Sequence, residues 1–105
     1  MNKVIKDGKV AVIINIDFGG GWYSWHRIEE LLYDPKIVHL LESASNRGAA
    51  MKLVLDYAQG MYPDQYFGGN DLSVQWIPQG DKFRIQEYDG QEHVVFQKNE
   101  VWLTA

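Results

Sequence analysis

One stretch of the chain is apolar almost without a break: Val10-Ala11-Val12-Ile13-Ile14-Asn15-Ile16. A β-branched run of this kind predicts a strand in the middle of a sheet, covered on at least one face by helices. Just before it, residues 3–6 and 9–12 flank Asp7-Gly8. That dipeptide favours a two-residue type I′ turn, so the segment predicts a hairpin. Asp17-Phe18-Gly19-Gly20-Gly21 then ends the strand, because consecutive glycines lose packing and backbone entropy inside a sheet.

Beyond the glycines the spacing becomes helical. Ile28, Leu31 and Leu32 fall at i, i+3 and i+4, with Ser24 as N-cap, and predict a helix over about 25–33. Asp34-Pro35 supplies a second cap with proline at the first helical position, and Ile37, Leu40 and Leu41 carry that helix to about Ser43. After the break Ser45-Asn46-Arg47-Gly48, the stripe Ala50, Leu53, Val54, Tyr57, Ala58 and Met61 predicts a helix over 49–61, closed by Tyr62-Pro63. Residues 63–71 are rich in turn formers. The rest alternates. Residues 72–77, 83–88 and 91–96 read as strands, Asp89-Gly90 repeats the hairpin signal, and 101–103 predict a last short strand. The order ββ-ααα-βββ predicts one α+β domain over residues 1–105. Its simplest form is a mostly antiparallel sheet of about five strands with two or three helices packed on one face.

Composition narrows the function. With 105 residues, 46% hydrophobic and 23% charged, the chain has the makeup of one globular domain. It has no cysteine, which excludes disulfides, thiolate metal centres and cysteine nucleophiles. No apolar run approaches the ~20 residues of a membrane helix, and no signal-peptide core precedes the hairpin, so the expected location is the cytoplasm. The net charge is −4 and the ten Lys and Arg residues are scattered, which argues against a nucleic-acid partner. Aromatic residues stand out at 13%, with four Trp and six Tyr, and aromatics are enriched at binding surfaces.

Two segments concentrate them. The first is Asp17-Phe18-Gly19-Gly20-Gly21-Trp22-Tyr23-Ser24-Trp25-His26-Arg27, at a strand-to-helix junction. Glycines there let backbone approach a ligand, and amides at a helix start favour an anion. Arg27 adds a charge-assisted donor, and Trp22 or Trp25 a stacking surface. The second is the loop around Tyr66-Phe67-Gly68-Gly69, which repeats that chemistry; the two make a cleft if they lie at the same end of the sheet. Arg84, between Phe83 and Ile85 on a strand, faces away from the core, with Gln86 and Tyr88. The candidate ligand-binding residues are therefore Phe18, Gly19, Gly20, Gly21, Trp22, Trp25, Arg27, Tyr66 and Arg84.

Catalysis and metal binding find less support. Asp17, Asp64 and Asp71 lack the regular spacing of a calcium loop. His26 with Glu30, and His39 with Glu42, read as solvated pairs on helix faces. Ser24 and Ser73 have no adjacent base. No metal, cofactor or catalytic residue is expected, although His26 beside a bound ligand has the chemistry of a general base.

The strand 10–16 followed by Phe18-Gly19-Gly20-Gly21-Trp22-Tyr23-Ser24-Trp25 resembles a family of short phage and bacterial proteins. In that family a hydrophobic strand precedes a motif like Gly-x-Gly-Trp-Ser-Thr-Trp. The likeness continues through Leu32-Tyr33-Asp34-Pro35, Leu72-Ser73-Val74-Gln75-Trp76-Ile77-Pro78 and Trp102-Leu103-Thr104-Ala105, though Gly20 and Tyr23 depart from the pattern. The resemblance implies a phage setting and, by analogy with phage anti-defence proteins that sequester nucleotide signals, a sponge. The leading expectation is a non-enzymatic protein binding a small anionic, ring-containing ligand such as a cyclic nucleotide. A homo-oligomer with sites at its interface would give such a ligand room. The alternative is an inhibitor of a host protein through exposed aromatic loops. The third reading is a small hydrolase or transferase using His26.

Overall fold

The computed structural model describes residues 2–105; Met1 of the predicted domain lies outside them. Strands β1 (Ile5–Lys6) and β2 (Lys9–Asn15) form the first hairpin. Asp7 and Gly8 have φ of 53° and 75°, positive at both central positions as a type I′ turn requires. Strand β3 (Leu72–Pro78) pairs antiparallel along all of β2, from Lys9 opposite Pro78 to Asn15 opposite Leu72. The sheet order is β1-β2-β3, so β2 is its middle strand. Strands β4 (Phe83–Tyr88) and β5 (Gln91–Phe96) form a separate antiparallel hairpin, turned by Asp89 and Gly90 at φ of 50° and 88°.

The fold is α+β, but the single sheet of about five strands is instead two sheets, of three and two strands. The cause lies in β2, which needs cover on both faces. Ala11 and Ile13 join the cluster of Trp22, Leu31, Ile37, Val54, Ala58, Phe67 and Leu72. Val12 and Ile14 face the other way, toward Leu32, Tyr33 and Ile77, and the inward residues Phe83, Ile85, Val94 and Phe96 of the second hairpin close over them. An edge-to-edge continuation of the sheet would leave Val12 and Ile14 covered only by Leu32, Tyr33 and Ile77, with the rest of their apolar surface facing water at a cost of about 1 kcal/mol each. The hairpin therefore folds over as a third layer.

Four helices connect β2 to β3: α1 (Tyr23–His26), α2 (Glu29–Tyr33), α3 (Pro35–Ser43) and α4 (Arg47–Met61). The one helix expected over 25–33 is thus two. Arg27 takes a left-handed φ of 59° and Ile28 is extended, because the Ile28 N–H donates to Nδ1 of His26 (2.8 Å) instead of continuing the helix. Ser24 lies inside α1 rather than capping it. Asp34 does cap α3, accepting from the N–H groups of Lys36 and Ile37, and Asn46 caps α4 through the N–H of Ala49. Helix α4 buries Ala50, Val54 and Ala58 at i, i+4 and i+8, while Leu53 and Met61 stay exposed, so its buried stripe is narrower than the sequence pattern. Residues 101–103 form no strand; they follow a single 3-10 turn (Gln97–Asn99) in an exposed segment. No helix among the described residues is long and apolar enough to cross a membrane.

Candidate functional site

The two glycine-aromatic loops meet. A Cβ added to Gly20 would lie 2.9 Å from the Gly69 amide nitrogen and 3.2 Å from the Gly68 Cα, so these backbones touch. The Asn70 side-chain amide donates to the Phe18 carbonyl, and the Gly19 N–H donates to the Asp89 carbonyl (2.7 Å) at the tip of the β4–β5 hairpin.

Two buried polar side chains hold this junction. Asn15, at the end of β2, donates through Nδ2 to the carbonyls of Asp17 (2.6 Å) and Gly90 (3.0 Å). Its Oδ1 accepts from the N–H groups of Asn70 (3.0 Å) and Asp71 (2.9 Å), which fills all four positions of a primary amide. Beside it lies Glu92. Its Oε1 accepts from the Asn15 N–H (2.8 Å), and its Oε2 from the Ser24 N–H (2.7 Å) and the Ser24 hydroxyl (2.5 Å). The anion seated at the start of this short helix is therefore the chain's own carboxylate.

That placement bears on each residue singled out in the sequence. Gly19 and Gly21 are packed as closely as Gly20, against Asn70 and the Trp25 indole respectively. Trp22 is wholly buried; its Nε1 donates to the Leu31 carbonyl (3.2 Å) and its ring packs on His26 and Phe67, leaving no face for a ligand. Three aromatics remain outside: Phe18, Trp25 and Tyr66, at 49%, 46% and 72% exposure. The rings of Trp25 and Tyr66 lie 6.5 Å apart, tilted by 32°. Arg27, exposed at the end of α1, donates from Nε to the Ser24 carbonyl (3.3 Å); its terminal amines make no hydrogen bond among the described residues. Arg84 stands apart, on the outer face of the β4–β5 hairpin, paired through Nε with Glu100 (2.9 Å). Of the acidic residues, Asp71 is held by Arg47 and Asp17 accepts from the Phe18 N–H (2.8 Å).

His26 is not a solvated partner of Glu30. It is 8% exposed, edge-on to Trp22 with ring centroids 4.7 Å apart, and also edge-on to Phe67. Nδ1 accepts from Ile28, and Nε2 is buried without a partner among the described residues. Burial lowers its pKa to about 4. A general base needs a free lone pair facing a reactant, and here the one lone pair of the neutral ring is taken by the backbone.

No motif in the sequence names Asn15 and Glu92 as the organising pair, yet both leave a trace in the chain. Asn15 is the one polar residue inside the apolar run 10–16, and a polar group in a buried strand must find partners. Glu92 shares the parity of Val94 and Phe96, which places it on the inward face of its strand. Comparison of the chain with known families, curated proteins and solved structures finds no match.

The junction makes a sharp prediction at two glycines. Gly90 has φ of +88°, and a Cβ there would sit 2.5 Å from the Gly19 carbonyl oxygen; Gly8 has φ of +75° with nothing within 4 Å. Gly8→Ala is expected to cost about 1 kcal/mol of backbone strain. Gly90→Ala adds backbone overlap to that strain and is expected to cost about 3 kcal/mol. Urea denaturation of both variants checks the contrast, and equal losses would contradict the close approach at Gly19.

Proposed function

We propose that the chain is a non-enzymatic binding protein that engages a protein partner through its aromatic end, with Phe18, Trp25 and Tyr66 as the contact and Arg27 at the rim. The observation that carries this reading is the contrast between backbone and side chains there. The loops are cross-tied by Asn15, Glu92 and close glycine contacts, yet three large rings on them stay in water. A rigid loop pair lowers the ordering cost of association, and aromatic and arginine side chains dominate binding hot spots. The resemblance to phage proteins makes a host factor the expected partner.

The double variant Trp25→Ala/Tyr66→Ala is expected to stay folded at a cost of no more than about 2 kcal/mol, because Tyr66 is mostly solvated while the Trp25 ring, 46% exposed, gives up only its packing on the glycine loop. It is expected to lose a stoichiometric partner that the parent captures from host lysate. Retention of that partner, or no partner captured by the parent, overturns the reading.

A second reading, a flat anionic ligand at the same end, is supported by the unengaged amines of Arg27 close in sequence to the Trp25–Tyr66 pair. Calorimetric titration of a nucleotide panel distinguishes it: heats that vanish with Arg27→Ala favour the ligand, and flat heats exclude it.

A further inference from the structure

The β4–β5 hairpin turns Phe83, Ile85, Val94 and Phe96 inward, so Arg84 and its cross-strand partner Val95 lie on its outer face. After β5 the chain doubles back over that face. The Gln97 N–H donates to the Lys82 carbonyl (3.0 Å), Lys98 pairs with Asp81 (2.8 Å), and Glu100 pairs with Nε of Arg84. This return borders a hollow of about 360 Å³, lined by Lys82, Arg84, Val95, Gln97, Glu100 and Trp102 among others.

Three features of the hollow point to a ligand. The Lys82 ammonium makes no hydrogen bond or ion pair among the described residues. Arg84 uses only Nε, so the terminal amines of its guanidinium are unengaged, and a guanidinium fork matches carboxylate or phosphate oxygens. Trp102 borders the same hollow while 84% exposed, in a segment with no secondary structure, so no element of the fold covers its indole. Two available cations and an open indole thus meet on one depression, in a chain whose net charge is −4.

We infer that this hollow binds a small ligand consisting of one flat ring bearing one anionic group, with the ring against Trp102 and the anion on Arg84 and Lys82. The volume lies near the bottom of the ~300–1,000 Å³ range of small-molecule sites, room for one ring and one anion. Glu100 has two opposed effects. It fixes Arg84 through Nε, and its charge competes with the incoming anion. The site shares no residue with the aromatic end, so either reading stands without the other.

The test is an NMR titration of the full chain with adenosine 5′-monophosphate and, separately, 1-naphthoate, with adenosine and inorganic phosphate as half-ligands. At least one of the two complete probes is expected to shift the Trp102 indole N–H saturably, and to bind more tightly than the half-ligands. A response to the nucleotide alone assigns a phosphate ligand, and a response to the naphthoate alone a carboxylate. Arg84→Gln and Trp102→Ala, both at exposed positions, are each expected to weaken binding about tenfold or more, the scale of one charge-assisted bond or one stacked ring. Glu100→Gln is expected to tighten it a few-fold. Silence of the Trp102 indole with both complete probes, half-ligands binding as tightly as complete ones, or affinity unchanged in Arg84→Gln and Trp102→Ala overturns the inference.

Discussion

Glu92→Ala is expected to remove about 4 kcal/mol of folding stability, because it orphans the Asn15 N–H and the Ser24 N–H together with the Ser24 hydroxyl. Against the 5–15 kcal/mol or so that holds a typical domain, a loss of this size brings the chain close to unfolding at room temperature. Glu92→Gln separates charge from shape. Three donors converge on this side chain, and a carboxylate offers acceptors only. Glutamine keeps one oxygen but turns an NH₂ toward a donor, so it is expected to fall between the parent and the alanine variant, at about 2 kcal/mol. Chemical denaturation at neutral pH measures both. An alanine variant within about 1 kcal/mol of the parent would show that water satisfies these groups and that the junction does not depend on Glu92.

Acid is expected to destabilise the protein through His26. In the unfolded chain the imidazole titrates at its ordinary value of 6.5, and in the folded protein burial lowers it to about 4. Between those values the unfolded chain binds a proton that the folded protein refuses, so stability rises with pH. The contribution is complete above about pH 6.5 and is lost as the pH falls toward 4, where the loss levels off. The interval corresponds to roughly 3 kcal/mol. His26→Asn isolates it: the asparagine oxygen still accepts from the Ile28 N–H, while nothing at position 26 titrates. At pH 7 this variant is expected to be less stable than the parent, since it loses packing against Trp22 and Phe67. The gap is expected to shrink by roughly 3 kcal/mol by pH 4, because surface carboxylates titrate alike in both proteins. Denaturant curves across this pH range decide the matter; a gap that stays constant means His26 charges without penalty.

Much of the architecture is written locally. Both Asp-Gly dipeptides turn their hairpins with positive φ at the two central positions, and Asp34-Pro35 starts a helix from its own side chain and ring. The layering is not local. Alternation in 83–88 and 91–96 says that one face of the hairpin is apolar, but edge extension of the sheet and docking over Val12 and Ile14 bury that face equally well on paper. The second unpaired face of β2 decides between them. The break at Arg27 is equally out of reach, since Ile28, Leu31 and Leu32 keep helical spacing on both sides of a hydrogen bond made by His26.

The site divides along the same line. Aromatic and glycine content picks out two loops, and the structure brings their backbones into contact. Which rings stay in water depends on packing across the chain. Trp22 and Trp25 are three residues apart; one donates to a buried carbonyl and the other lies beside Tyr66 at the surface. The anion expected from outside is supplied from 68 residues away by Glu92, a partner that no local pattern around Gly19–Gly21 reveals.

The bond from the Asn15 N–H to Glu92 spans 77 residues. During synthesis, β2 leaves the ribosome long before the hairpin that shields Val12 and Ile14. Until β5 is made, Val12 and Ile14 have only Leu32, Tyr33 and Ile77 beside them, and the face that Phe83, Ile85, Val94 and Phe96 later cover is open to chaperones and to neighbouring nascent chains. The 77-residue interval between Asn15 and Glu92 therefore sets how long that face waits for its cover.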